Sequence, residues 1–370
     1  MRGINSKKID FIQAMRGIAA LCVVLYHGSF WTGKISEITK YIFYPAGYFG
    51  VSLFFVISGF IMVISTKRSD SSINYVVLFL IKRFTRIWPT YFIATLLTLI
   101  LLSGIDWFHD AGRFLYFLRS IAFVPKGDAL APTFGMPALS IGWTLTYEML
   151  FYLIFAISML TGALRWVTFY SLIVFLLVAT PFFLNGRVEL APTSDYGFSS
   201  IILGLVTSPI IWLFVSGVAI GNVYSSRLSI KSRLMCWLFI AFAVLIVIFQ
   251  YILRFKIGHG IFEWGLSIIP LVFSFAITSK TINFRFPPTL IYLGNISFSL
   301  YLVHVLMQGA TLHTLVFLGL KPLGTGVSSM VMTTSASIIV AGLMSKYVEN
   351  YLPTKLSSWA NARKKPIVTG

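Results

Sequence analysis

The run FIQAMRGIAALCVVLYHGSFW, residues 11–31, decides what kind of chain this is. A helix needs about 20 residues to cross a bilayer, and this stretch supplies them. Arg2, Lys7 and Lys8 precede it, which also suits a cleaved signal peptide. Arg16 interrupts the apolar run, however, and no small-residue cleavage site follows Phe30, so a retained helix is expected. Nine further apolar segments come after it, at 45–65, 87–104, 141–160, 166–184, 199–221, 234–253, 262–279, 290–310 and 326–346. The expected fold class is all-α, a polytopic membrane protein of about ten transmembrane helices.

Composition agrees. Of the 370 residues, 57% are hydrophobic and only 11% charged. Soluble domains carry about 25% charged residues, so this chain has too few to cover a wetted surface. Cys22 and Cys236 both lie in apolar runs, which excludes a disulfide scaffold. The net charge of +18 would suggest nucleic acid in a soluble protein. In a membrane protein it reflects basic cytoplasmic loops, and no metal-knuckle or RNA-binding signature supports nucleic acid. With the N-terminus inside, about two in three of the 29 basic residues fall on the cytoplasmic side. Both termini are therefore expected in the cytoplasm. Residues 1–350 read as one membrane domain and 351–370 as a short basic cytoplasmic tail. No internal repeat is present.

Two stretches are irregular. Residues 75–86 read as a helix on the inner surface leading into the third span. Residues 105–140 form the longest connection, on the outer side. Phe114, Leu115, Phe117, Leu118 and Ile121 mark a short interfacial helix there, and Pro125, Gly127, Pro132, Gly135 and Pro137 break regular structure in the rest of the loop. A functional loop and a passive connector are both open readings. Gly217 and Gly221 form a G-x-x-x-G, read as close helix packing.

Function is argued from polar residues that hydrocarbon penalises. An ionisable side chain inside a span costs about 2.5–3.5 kcal/mol or more, so it faces a polar interior. Arg16 and His27 are eleven residues apart, which is ~1100° of helix and leaves only ~20° after three turns. Both project from one face, ~16 Å apart along the axis, as a polar stripe across much of the bilayer. A snorkelling arginine and a hydrogen-bonded core histidine are the competing reading. Arg83 and Arg86 neighbour each other on a helix and can jointly grip a phosphate, or simply anchor to lipid headgroups. Trp143-Thr-Leu-Thr-Tyr-Glu148 places one carboxylate well inside a span, with Arg16 and His27 as its natural partners. Ser297, Tyr301 and His304 share a helix face, as a site or as interhelical glue.

In order, Arg16-x10-His27, Gly50-Val-Ser-Leu-Phe-Phe-Val-Ile-Ser-Gly59, Arg83-x-x-Arg86, Trp143-Thr-Leu-x-x-Glu148 and Ser299-Leu-Tyr301-Leu-x-His304 resemble the acyltransferase family 3 membrane proteins across nearly the whole chain. The resemblance implies an O-acyltransferase of the bacterial inner membrane. It would move acetyl from cytoplasmic acetyl-CoA to a sugar hydroxyl of a surface polysaccharide, an O-antigen or exopolysaccharide, lipid-linked or polymeric. Gln13 stands where an acidic residue is common, and Thr144 replaces a Ser. The C-terminal Glu-Lys/Arg-Pro feature is only approximated by Glu349-Asn350, with Pro353 later, which leaves the role of Glu349 open.

Acyl transfer needs a held donor, a deprotonated hydroxyl and a stabilised oxyanion. Arg83 and Arg86 are expected to bind the donor phosphates. His27 is expected as general base, Arg16 as orienting the donor, and Glu148 as pairing with one of these two. Tyr301, His304, Ser297 and Trp143 are candidates for acceptor binding or oxyanion stabilisation. No metal is required. The alternative is a proton-coupled secondary transporter or flippase using His27 and Glu148 as a relay. Against it, no two-fold hydropathy repeat is found.

Overall fold

A computed structural model describes residues 10–31, 36–320 and 326–351. The basic tail beyond Tyr351 lies outside the described residues, as does part of the connection after the first helix. Among the described residues there is no strand. The helices are α1 (Asp10–Ser29), α2 (Ser36–Ser65), α3 (Ile73–Ser103), α4 (Ala111–Ile121) and α5 (Trp143–Met159). Then come α6 (Arg165–Val174), joined by a π-turn at Phe175–Ala179 to α7 (Thr180–Asn185), and α8 (Ile201–Val206). After them run α9 (Ile211–Ser225), α10 (Arg233–Leu253), α11 (Gly265–Thr278), α12 (Pro288–Asn295), α13 (Ser297–Phe317) and α14 (Gly326–Met344), the last extended by a π-turn at Ser345–Asn350.

Nine helical stretches of the described residues are long and apolar enough to cross a membrane. This is a multi-pass membrane protein. Its outer shell carries large apolar side chains left mostly uncovered, such as Phe183 at 81% and Phe317 at 89% exposure. Water would tolerate such a surface poorly, and lipid accepts it.

Several segments differ from the sequence reading, and 199–221 is broken at 207–210 between α8 and α9. The surface helix and the third span form one 31-residue helix, α3, started by Ser72, whose hydroxyl accepts the Tyr75 N–H at 3.1 Å. At 1.5 Å per residue it is about 46 Å long, more than the hydrocarbon thickness, so its first turns project past the apolar layer. The segment at 262–279 is helical only over the 14 residues of α11. Its start folds instead into turns, where Glu263 accepts the Gly260 N–H at 2.7 Å. The segment at 290–310 divides at Ile296 into α12 and α13. In the long loop, α4 lies where the interfacial helix is expected, and side chains from the bundle hold it. Trp88 Nε1 donates to the Ile121 carbonyl at 3.1 Å and Tyr91 to that of Ser120 at 3.2 Å.

The core centres on the antiparallel pair α1 and α2. α2 packs on α9, while α1 packs on α12, α13 and α14. Two crossings are close enough to require glycine. A Cβ on Gly217 or on Gly59 would run into the Val56 or Phe214 carbonyl of the facing helix, so the G-x-x-x-G of α9 is a packing seam within the chain. A Cβ on Gly294 would likewise meet the Gln13 carbonyl of α1. These contacts fix α2 against α9 and α1 against α12, which positions the polar residues of the interior. The ends of α2, α3 and α6 that carry Arg83 and Arg165 meet at what we term the basic face. Arg83 donates to Ser65 Oγ at 2.7 Å, and Arg165 to Thr66 Oγ1 at 2.8 Å.

Candidate active site

A cavity that opens to the surface lies among α1, α2, α3, α5 and α13. Arg16, Arg83, Arg86, Glu148, Ser58 and Tyr152 supply its polar lining. Phe54, Phe55, Val51, Thr144 and Tyr301 supply much of the rest. Three guanidiniums against one carboxylate leave the cavity positive and suit it to an anion carrying more than one charge.

The three arginines are held differently. Arg16, only 9% exposed, reaches back to Gln13 Oε1 at 3.4 Å. Gln13, where the resemblance led to the expectation of an acid, therefore supplies an acceptor. Arg83 is tied to Ser65 and lies over the Phe79 and Tyr152 rings at 5.3 and 5.7 Å. Arg86 makes no hydrogen bond or ion pair to another described residue. Its five N–H donors are thus free for a ligand, which fits a phosphate-bearing donor at this wall.

Glu148 does not form the expected ion pair with Arg16 or His27. It accepts hydroxyls from Ser58 at 3.2 Å and from Tyr152, one turn along α5, in a short hydrogen bond. Both hydroxyls donate to the same oxygen, Oε1, and hold that side of the carboxylate locally. Glu349 is buried in the π-turn after α14 and accepts the Ser299 hydroxyl at 2.7 Å.

His27 is not among the residues lining this cavity, so the polar stripe expected along α1 is interrupted. Between Arg16 and His27, α1 presents Ala19, Ala20, Val23 and Val24, all buried. Aromatic rings bridge the gap. Phe54 and Tyr301 lie 5.9 Å apart, Tyr301 is 6.0 Å from His304, and His304 is 4.9 Å from His27. His304 Nε2 lies 3.0 Å from His27 Nδ1, and that same Nδ1 is 3.1 Å from the Val23 carbonyl. His304 is wholly buried, with its Nδ1 2.7 Å from the Tyr301 carbonyl and 3.3 Å from that of Leu300.

The remaining predicted residues separate. The Tyr301 hydroxyl donates to the Ile141 carbonyl at 3.0 Å and lies 2.9 Å from Thr144 Oγ1, so it is already engaged. Ser297 Oγ is buried without a hydrogen-bond partner among the described residues. Trp143 is outside the cavity lining and faces His259, ring to ring at 5.4 Å.

His259 is one residue that sequence reasoning missed. It stands in the connection between α10 and α11, 4.7 Å from the Tyr48 ring and 3.4 Å from Ser52 Oγ. Burial pushes its pKa down to about 3, so the ring is neutral at ordinary pH. Nothing in the flanking Gly258 and Gly260 signals it. Tyr152 and Ser58 were missed too, although a signal existed for each, the i+4 spacing of Tyr152 from Glu148 and the place of Ser58 inside the Gly50–Gly59 run.

The arrangement is that of an integral membrane protein able to hold a polyanion against one face of a helical bundle, with an imidazole pair set beyond it. Sequence comparison gives the family. The chain belongs to the acyltransferase domain family, which matches residues 9–342. It is similar to the exopolysaccharide production protein ExoZ of Rhizobium meliloti, 35% identical over 187 residues that make up 49% of this chain and 52% of that one. It is also similar to the peptidoglycan O-acetyltransferase OatA of Listeria monocytogenes, 25% identical over 175 residues, 44% of this chain and 26% of that one. The chain thus spans about half the length of the first relative and about a quarter of the second. No solved structure matches.

Proposed function

We propose that this chain is a membrane O-acetyltransferase. It would take acetyl from acetyl-CoA on the cytoplasmic side of a bacterial inner membrane and place it on a sugar hydroxyl of a surface polysaccharide, an O-antigen or an exopolysaccharide. The observation that carries the reading is the convergence of Arg16, Arg83 and Arg86 on one cavity, with Arg86 free of any partner among the described residues. Family membership supports acyl transfer over the transporter or flippase reading, and the names of ExoZ and OatA support a polysaccharide acceptor. The basic residues gathered at the cavity's end of the bundle support its placement toward the cytoplasm.

In this reading Arg83 and Arg86 grip the donor's phosphates and Arg16 orients the donor deeper in the cavity. Beyond Phe54 and Tyr301, His27 takes the proton from the acceptor hydroxyl as its oxygen bonds to the acetyl carbon. The tetrahedral oxyanion then collapses, the C–S bond breaks, and His27 returns the proton to the departing thiolate. Ester and thiol are the products, and no redox partner is needed. The test is the surface polysaccharide of the producing cell with and without this gene, compared by NMR and by acetate released with mild alkali. Loss of O-acetyl signals in the deletion strain, restored by the gene, is expected. An unchanged acetylation pattern would refute the assignment.

A further inference from the structure

The hydrogen bonds around the two imidazoles fix their protons. A backbone carbonyl can only accept, so His304 Nδ1, 2.7 Å from the Tyr301 carbonyl, must carry its hydrogen. A neutral ring has one N–H, so His304 Nε2 presents a lone pair. That lone pair faces His27 Nδ1 at 3.0 Å, and the Val23 carbonyl faces the same nitrogen at 3.1 Å. Two acceptors converge there, so His27 Nδ1 is also an N–H, shared between them. The one lone pair of His27 is therefore on Nε2. A doubly protonated His304 would require a lone pair on His27 Nδ1 against the Val23 carbonyl, and would bury a cation with no carboxylate hydrogen-bonded to either ring among the described residues.

We infer that His304 is a positioning residue: through Nε2 it holds His27 in the tautomer whose Nε2 is the base, and it shares the charge when that nitrogen is protonated. This rests on the reading of His27 as general base and revises the expectation that His304 meets the acceptor. His304 is 0% exposed and does not line the cavity, so it is not placed to touch a substrate. A carboxylate performs this task in hydrolytic triads. A neutral imidazole, itself oriented by a carbonyl, does it here without placing a further charge inside the membrane. When His27 Nε2 takes the hydroxyl proton, its Nδ1–H still donates to His304 Nε2. The proton then leaves from His27 Nε2 to the thiolate, and His304 ends unchanged.

The experiment uses the full chain in lipid nanodiscs, with radiolabelled acetyl-CoA and surface polysaccharide deacetylated by mild alkali. His304→Leu removes the acceptor at His27 Nδ1, and His304→Gln can restore one with its amide oxygen. Expected for His304→Leu is a kcat at least about 100-fold lower, with KM for acetyl-CoA and polysaccharide within about twofold. His304→Gln is expected to recover at least tenfold of that loss. A kcat for His304→Leu within about threefold of the parent would overturn the inference, as would a raised KM at unchanged kcat or a Gln variant as inactive as Leu. If the Leu variant fails to reach the membrane, His304→Gln against His304→Met decides by the same criteria. His27→Ala separates the two claims. An active His27→Ala removes the base itself, whereas an inactive His27→Ala beside a fully active His304→Leu removes only the role of His304.

Discussion

Arg86 and Arg83 look alike in sequence, yet the structure gives them different work. Arg83 spends its guanidinium on Ser65 and two rings, joining α3 to α2 and α5. Arg86 spends none of its donors on another described residue. Arg86→Ala should therefore weaken acetyl-CoA binding without lowering thermal stability. Charge-assisted hydrogen bonds contribute about 1.5–3 kcal/mol each, so the loss expected by calorimetric titration is about tenfold to a hundredfold. Unchanged affinity would make Arg86 a lipid-headgroup anchor. Arg83→Ala should lower both affinity and melting temperature. His27→Ala should reach the membrane at parental levels and acetylate nothing, and retained acetylation would remove His27 from the chemistry. Arg16, His27, Arg83, Arg86, Glu148 and His304 were legible because a charge or imidazole inside an apolar run stands out. Their partners were not. Glu148 has several hydroxyls within reach along the sequence, and only the packing of α2 on α5 selects Ser58. His259 lacks even that contrast, since it sits in a turn between two glycines.

Helix crossings at α2–α9 and α1–α12 set these residues in register. Side chains at Gly59, Gly217 and Gly294 would meet backbone carbonyls, which are not free to move aside. Gly217→Leu should therefore push α9 off α2. Overpacking of this kind costs about 1–3 kcal/mol, and a lower melting temperature in detergent is expected, together with loss of acetyl-CoA binding, because α2 lines the cavity. A Gly217→Leu protein as stable as the parent would mean that the seam has room. Hydropathy revealed nearly every membrane-crossing stretch, since burying about 20 apolar residues requires a continuous run. It misjudged where helices stop. α3 continues through Lys82 and Arg83 because a capped helix tolerates charges outside the apolar layer. α11 starts late because turns at Gly258 and Gly260 occupy the residues before it.

The molecule as a whole is polarised, with a positive cavity at one end of the bundle and the imidazole pair beyond Phe54 and Tyr301. Orientation is argued from charge alone and is open to direct mapping. In a chain with Cys22 and Cys236 replaced, Ser226→Cys should react with a membrane-impermeant maleimide only from the cytoplasmic side, and Asp195→Cys only from the opposite side. The reverse pattern would turn the cavity proposed for the donor away from cytoplasmic acetyl-CoA. The most direct measurement is sided transfer in proteoliposomes oriented with the basic face outward. Labelled acetyl-CoA is supplied outside and deacetylated polysaccharide is sealed within. Label on the enclosed polysaccharide with the parent chain, absent with His27→Ala and much reduced with Arg86→Ala, is the result predicted. Free labelled acetyl-CoA in the lumen with no ester formed would contradict it, as would equal ester formation by the His27→Ala chain.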